Sequence, residues 1–575
     1  MSSSQEISPA PRGTLFNLLR RLHFYIGLFI APFIFVAALT GTLYVLTPQL
    51  EKAIYHDALT AEPKGAAQPL SAQIAAARMR VGESAHIYAV RPAPGPQETT
   101  RVQFSGPDLG PSESRSLFID PYTLQVKGDM TVYGTSGVLP LRMWLDQLHR
   151  GLLLGDVGRN YSELAASWLW VAALGGIVLW AGTRPRKRKA RRGFAATRYW
   201  HVTLGLLLAL GLVFFSVTGL TWSQWAGNNI EKMRSDFGWK TPQVNTALNG
   251  EAPAEAADPH ADHRGTMAGM NMSDMTMPAK TAAPVVENQP DAHWDQVLVA
   301  AREAGLDAAK LELRQPKKQD QAWTVSEIDR RWPSQVDAVS INPTDFSVVD
   351  RVEFAHFPLV AKLTRWGVDA HMGVLFGLAN QLILAFFGFG LCAMIVLGYR
   401  MWWIRRPAVP QLSPAQTLLS AWLAMPRYAQ GASLIVMLAL GYALPVMGVS
   451  LLLLLLLLDI QRWRSARRAR TVHVDTAPDK QSPLAIVQSR FAVKRKEMRY
   501  FLRSVTVLAL IVISVMANAM IGGVIDQYQI PFSHWSLTMY MTQAMMILLY
   551  STVFTGLLSI PLWYFFLGES DEQGK

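Results

Sequence analysis

The chain has 575 residues, half of them hydrophobic, with a formal charge of +12 and a single cysteine. Its apolar residues gather into runs near the ~20 residues needed to cross about 30 Å of hydrocarbon, which excludes an ordinary soluble protein. The lone Cys392 lies inside one such run, so an intrachain disulfide and any Cys-based zinc or iron–sulfur motif are excluded as well.

In chain order, the first apolar run is 24–46. It is longer than the roughly 7–15 residues of a signal-peptide core and no clear small-x-small site follows it directly, so it reads as an uncleaved anchor. Residues 70–81 then show helical apolar spacing. Short alternating runs at 87–91, 100–104 and 115–119 predict three strands, the last ended by the turn starter Asp120-Pro121. Two more spans follow at 164–181 and 201–222. The second long loop repeats the pattern, with a helix over 292–304, strands at 310–313, 322–328 and 338–341, and Asn342-Pro343 as the stop. A fourth span covers 375–402. The runs 429–444 and 445–460 are short and abut at Pro445, as a tight hairpin or one broken element would. Spans at 501–524 and 537–567 bring the candidates to eight.

The predicted fold class is therefore a membrane all-α helical bundle of about eight spans carrying two small α+β modules. The expected division is 1–50 (N-terminus and first span), 51–148 (first module), 149–222 (second and third spans with their basic connection) and 223–370 (second module). It continues with 371–404 (fourth span), 405–460 (a segment and helical hairpin), 461–499 (basic linker) and 500–575 (a two-span domain).

Basic residues crowd into 12–21, 184–198, 400–406 and 462–503. All four stretches fall on one side if the spans alternate, and cytoplasmic loops carry such an excess. The charge is thus topogenic: the chain's partner is membrane lipid, and no nucleic-acid partner is implied. Both termini are expected in the cytoplasm of a bacterium, with the loops 47–163 and 223–374 in the periplasm.

The chain contains the same unit twice. Arg20-Arg-Leu-His23-Phe-Tyr-Ile-Gly27 aligns with Arg198-Tyr-Trp-His201-Val-Thr-Leu-Gly205, an offset of 178 that also maps Thr40-Gly41 onto Thr218-Gly219. His149-Arg-Gly151-Leu-Leu-Leu-Gly155 aligns with His371-Met-Gly373-Val-Leu-Phe-Gly377 at an offset of 222, so the second loop is 44 residues longer. Much of the excess lies in 245–290, a polar, Pro-, Ala- and Met-rich stretch of disordered composition.

Four repeat-related histidines carry the sharpest chemical signal. His23 and His201 sit at the cytoplasmic mouths of the first and third spans; His149 and His371 fall near the periplasmic face, ahead of the second and fourth. Ionisable groups in or near spans are costly and default to functional hypotheses. Two neutral imidazoles at equal depth on adjacent helices can ligate one b-type haem from both faces, leaving no open position for oxygen. Gly27, Gly205, Gly151, Gly155, Gly373 and Gly377 would let helices and a flat macrocycle approach closely. The alternatives are interfacial or packing roles and a transporter-type proton relay, which the lack of acidic residues between the layers disfavours. His356, fifteen residues before His371, competes for the periplasmic site. His56, His86, His293, His473 and His534 have no repeat partner and read as ordinary.

A stretch running through His260, His263, Met267, Met270, Met272, Met275 and Met277 combines imidazoles with soft thioethers, a donor set suited to weak copper(I) binding. A Met-rich loop acting as an oxidant sink is the plainer reading.

The His-x-x-x-Gly-Leu openings, the Thr-Gly pairs at the span ends and the Asp-Pro-Tyr-Thr ending of the first module resemble the PepSY-associated transmembrane family over about 14–460. Members resembling this chain are inner-membrane ferric-siderophore reductases, and the resemblance implies two b-type haems, one between His23 and His201 and one between His149 and His371. It also implies a ferric siderophore or other ferric chelate as acceptor. The family name leaves open a non-redox role in binding peptides or regulating a periplasmic protease. Residues 499–570 resemble a different, small bacterial membrane family of unknown function, through Ile521-Gly-Gly-Val-Ile-Asp-Gln-Tyr-Gln-Ile-Pro531 and the span ending at Leu567-Gly568. No Gly-x-Gly-x-x-Gly lies between a strand and a helix, so the electron donor is expected to be a quinol or a separate cytoplasmic reductase.

Overall fold

The computed structural model describes residues 12–110, 112–134, 136–183, 192–249, 288–405, 414–472, 483–528 and 532–567. The first apolar run begins as α1 (Arg12–Phe29) and continues as α2 (Ala31–Val45), the two being bent by 57° at Ile30. Pro32 explains the break, since a proline nitrogen cannot donate to the preceding turn and its ring excludes a straight continuation. Short helices α3 (Thr47–Ile54) and α4 (His56–Leu59) lead into α5 (Leu70–Val81) and strands β1 (Ile87–Arg91), β2 (Thr100–Phe104), β3 (Glu113–Ile119) and β4 (Val126–Tyr133). The chain returns through α6 (Pro140–Gly151) to the long helices α7 (Gly155–Thr183) and α8 (Gly193–Thr221).

The second half repeats this order. After α9 (Trp225–Asp236) come α10 (Asp291–Glu303), β5 (Leu311–Arg314), β6 (Trp323–Glu327), β7 (Ala338–Ile341) and β8 (Val348–Val352), then α11 (Leu359–His371) and α12 (Leu378–Arg405). Beyond α12 the described residues form α13 (Pro414–Leu423), α14 (Arg427–Ala443), α15 (Pro445–Val472), α16 (Pro483–Tyr528) and α17 (Leu537–Leu567).

Among the described residues, α7, α8, α12 and parts of α16 and α17 are long and apolar enough to cross a membrane, and the bent α1–α2 pair makes a sixth candidate. The runs 429–444 and 445–460 form a pair of helices broken at Leu444, with Pro445–Leu456 as a shorter apolar helix. At the break a Cβ on Gly448 would stand 2.8 Å from the Gly441 Cα, so the glycine permits the close approach. Asn229 closes the tip by donating to the carbonyls of Tyr442 and Ala443, both at 3.1 Å.

The centre of the bundle is built by α2, α7, α8 and α12 around Ile34, Ala165, Leu169, Leu208, Leu212, Leu391 and Ile395. Phe387 enters this core through a notch: a Cβ on Gly211 would fall 2.1 Å from its ring.

The two modules are not separate. They form one antiparallel sheet of eight strands in the order β4-β3-β2-β1-β5-β6-β7-β8, joined where Val90 of β1 faces Leu313 of β5. One face is covered by α5 and α10 and shares a single core, with Trp294 packed edge-on against Trp323 at 4.6 Å. Polar contacts lock the halves together. The Asp295 carboxylate of α10 accepts from the Leu70 amide at the start of α5 at 2.7 Å, and Arg78 pairs with Asp291 at 3.1 Å. Arg91 donates to Glu312 at 2.7 Å across the central seam.

Each module has four strands where the sequence pattern predicts three. The added strands, β4 and β8, are the two edges of the sheet, and solvent faces their Lys127, Asp129 and Arg351; such charged edges carry little apolar alternation.

Candidate functional site

At the end of the bundle nearest the sheet, His149 lies in the last turn of α6 and His371 ends α11. Each ring is held by a threonine from a long helix. Thr40 Oγ1 stands 3.1 Å from His149 Nδ1, and Thr218 Oγ1 stands 2.6 Å from His371 Nδ1. Each hydroxyl also lies 2.7 Å from the carbonyl four residues earlier, Val36 or Phe214. A carbonyl can only accept, so it takes the single hydroxyl proton, and the ring must then supply the Nδ1–H that the threonine oxygen accepts. That tautomer leaves the Nε2 lone pair unprotonated in both rings.

Burial and then the neighbouring His149 lower the pKa of His371 to about 3, and burial also lowers that of His149. Both imidazoles are therefore neutral across the physiological range, the form in which histidine ligates metals. Their surroundings differ. His371 is flanked edge-on by Phe215 at 5.5 Å and Trp222 at 5.6 Å, whereas the repeat places Ala37 and Tyr44 at the matching positions beside His149. His149 fits against Gly41, where a Cβ would stand 3.0 Å from Cε1.

Toward the other end, His201 on α8 donates from Nδ1 to the Met394 carbonyl of α12 at 2.9 Å. Its acceptor has no proton to give, so Nε2 is again the free base. His23 on α1 holds a buried Nδ1 that faces the Ala172 carbonyl of α7 without reaching hydrogen-bond geometry. Ala172 and Met394 are repeat equivalents at the offset of 222, and so are Gly176 and Gly398. A Cβ on Gly176 would meet His23 Cε1 at 3.4 Å, and one on Gly398 would meet His201 Cε1 at 3.5 Å.

The structure thus brings His23 within electrostatic reach of His201, and His149 within reach of His371. His201 and Thr218 are seventeen residues apart on α8, which separates the layers by roughly 26 Å at the helical rise per residue. The repeat in the sequence marks Thr40 and Thr218 but not their role as anchors, and Ala172 and Met394 leave no such mark. The glycines 176 and 398 emerge only when the offset of 222 is extended into α7 and α12.

His356 is not part of either layer: its side chain is 80% exposed and lies 3.2 Å from Glu353. His86 meets Gln315 and Ser105 in the sheet, and His293 packs on Phe346. His260, His263 and Met267 to Met277 lie outside the described residues, as does His473. Among the described residues no group of three or more His, Cys, Asp or Glu side chains could hold a metal ion.

The elements that carry His149 and His371 also hold a set of partly buried ion pairs. Asp369, fully buried, is shared by Arg330 and Arg365, and Arg330 also donates to Ser136 Oγ at 2.8 Å. Arg142 pairs with Glu51 at 2.5 Å, and Arg150 lies 3.4 Å from Asp146 and donates to the Tyr133 hydroxyl.

Residues 20–405, which contain both repeats and all four histidines, match the PepSY-associated TM region family. The chain belongs to that family. With its apolar helices, this PepSY-associated protein is integral to a membrane. Residues 491–570 match a second family, a protein of unknown function, DUF2534. There the chain is 45% identical over 80 residues to the uncharacterized protein YnaJ of Escherichia coli strain K12, covering 14% of this chain and 94% of YnaJ. YnaJ of the O6:H1 and O157:H7 strains matches to the same extent. The C-terminal helix pair is thus a YnaJ-like protein fused to a PepSY-associated one.

Proposed function

We propose that this protein is a dihaem electron carrier of the bacterial inner membrane that reduces a periplasmic ferric chelate, with a ferric siderophore as the acceptor class. In this reading the basic ends of the helices lie in the cytoplasm, the α14–α15 hairpin adds to the membrane bundle, and the sheet of PepSY modules stands in the periplasm. His23 and His201 would hold one haem b, and His149 and His371 the other.

The donor set fits such groups. The observation that carries the reading is the common anchoring of Nδ1: Thr40, Thr218 and the Met394 carbonyl each accept from a ring N–H and leave Nε2 as the base. The orphaned, buried Nδ1 of His23 beside the Ala172 carbonyl completes the set in the equivalent place. Glycines at Cε1 of His23, His149 and His201 let each ring sit against a helix backbone.

When bound, haem b between two imidazoles supplies a one-electron couple with no open position for oxygen. The four rings would hold two such groups toward opposite ends of the bundle. The apolar core between them, with Phe215, Phe387 and Leu208, excludes water and protons from the path. The acceptor takes up one electron as iron(III) becomes iron(II), a poorer guest for hard oxygen chelators, and the metal is released. A quinol or a cytoplasmic reductase would supply the electron. The Met/His stretch 260–277 is proposed as a weak copper(I) site that modulates the protein.

The test is a reduced-minus-oxidised spectrum of the purified protein with a pyridine haemochrome assay. About two b-type haems per chain are expected. Folded protein made with haem available that carries none would sink the reading.

A further inference from the structure

The turn that follows His149 is strained in a way its repeat counterpart is not. Leu152 and Leu153 both take left-handed backbone angles, with φ of 54° and 59°, ahead of Gly155 at 56°. That region crowds the Cβ of an L-residue, and two successive leucines persist there only if their surroundings hold them. In the second half the equivalent turn places only glycines at positive φ, Gly373 at 74° and Gly377 at 56°. Val374 and Leu375, the counterparts of the two leucines, keep ordinary backbone.

The two turns also differ in what covers them. Leu152, Leu154 and Tyr161 are buried in one cluster with Val512, Met516, Ala519 and Met520 of α16. Phe554 and Leu558 of α17 face Tyr161 and Phe33 across a small apolar gap. In the second half the residues matching Leu154 and Tyr161 are Phe376 and Ile383, and these are 57% and 55% exposed where Leu154 and Tyr161 are 4% and 8%. The covered, strained turn runs straight on from His149, whose carbonyl accepts from the Tyr161 hydroxyl at 2.9 Å.

We propose that the fused YnaJ-like helix pair is a clamp: α16 packs Leu152, Leu154 and Tyr161 and thereby holds the left-handed turn that fixes His149. Lipid tails would cover the same apolar atoms, but they are fluid and cannot impose one backbone geometry, whereas close-packed side chains can. The half with glycines at its turn needs no such cover. This assigns a positioning role to a domain of unknown function, and it stands without the haem reading because the turn itself is what is measured.

The experiment is amide hydrogen–deuterium exchange on the full chain in detergent micelles. Two variants weaken the contact, Ala519→Trp as a wedge and the milder Met516→Ala as a cavity, so that one remains informative if the other does not fold. Exchange over 147–156 should rise about tenfold, while 369–378 stays at the wild-type rate as an internal control. Adding Leu153→Gly to either variant should restore protection, since glycine takes the left-handed angle without the clash. Wild-type exchange over 147–156 in both variants, or an equal rise over 369–378, would overturn the proposal.

Discussion

Thr218 Oγ1 stands 2.6 Å from His371 Nδ1, near the end of a span that repeats, 178 residues on, the one carrying Thr40, which holds His149 in the same way. In both cases the hydroxyl proton is committed to the carbonyl one turn back, so the threonine reads the tautomer of the ring. The repeat has preserved a proton's position, which bears on binding far more directly than the identity of the histidine alone.

Thr218→Val keeps the shape and removes the acceptor. The ring then has no partner for its Nδ1–H, and loss of such an outer partner weakens metal binding about 10–100-fold. Under the proposed dihaem function, haem retention during purification should fall by half, with the loss confined to one spectral component, and Thr218→Ser should recover it. Unchanged haem affinity in Thr218→Val would mean that the threonine does not orient the ligand.

The pairing by depth makes its own forecast. His23→Ala and His201→Ala should each abolish the same spectral component, and His149→Ala and His371→Ala the other. Difference spectra of the four variants check it. If His201→Ala removed the component that His371→Ala removes and spared the other, the assignment by layer would be wrong.

How far the sequence revealed this arrangement depends on what kind of signal each part leaves. Helix α5 and strands β1, β2 and β7 lie where apolar spacing predicts them, because each buries one face in a shared core. The β1–β5 seam left no trace: it pairs residues more than two hundred positions apart, and pairing across such a distance has no local pattern. The histidines were legible because the repeat conserves their side chains. Ala172 and Met394 were not, since they act through backbone carbonyls, which every residue has. The bend at Ile30 was written in Pro32, yet an apolar run reads the same whether straight or bent.

Glycines next to the rings differ in how much room they leave. Gly41→Ala would put a Cβ 3.0 Å from His149 Cε1, closer than ordinary contact, while Gly398→Ala would leave 3.5 Å to His201 Cε1. The first should disturb its histidine and the second should be tolerated, seen as a changed or unchanged spectrum of the corresponding component. Gly211→Ala is a different case, because its Cβ would fall 2.1 Å from the Phe387 ring. Overpacking of this kind costs about 1–3 kcal/mol, and Phe387→Leu in the same chain should recover part of it in thermal unfolding. Equal stability of Gly211→Ala and the wild type would show that the notch is not tight.

The seam of the sheet should respond to pH through Glu312. Burial alone would raise its pKa, but Arg91 and Arg314 overcome that and hold the carboxyl below the ordinary glutamate value. A depressed folded pKa contributes stability that is present above the unfolded pKa, about 4.3, and is lost as pH falls through the folded value. Glu312→Gln leaves the buried Arg91 guanidinium, and the partly exposed Arg314 beside it, short of their shared acceptor, so it should destabilise the sheet by roughly 3 kcal/mol at neutral pH. The comparison is thermal unfolding of wild type and variant, followed by the fluorescence of the buried Trp294 and Trp323. The gap between the two should persist from pH 7 to about 4 and narrow below it, because only the wild type then loses its ion pairs by protonation. A gap that stays constant to pH 3, or a variant more stable than the wild type, would show that the Arg91–Glu312 contact does not hold the two modules together.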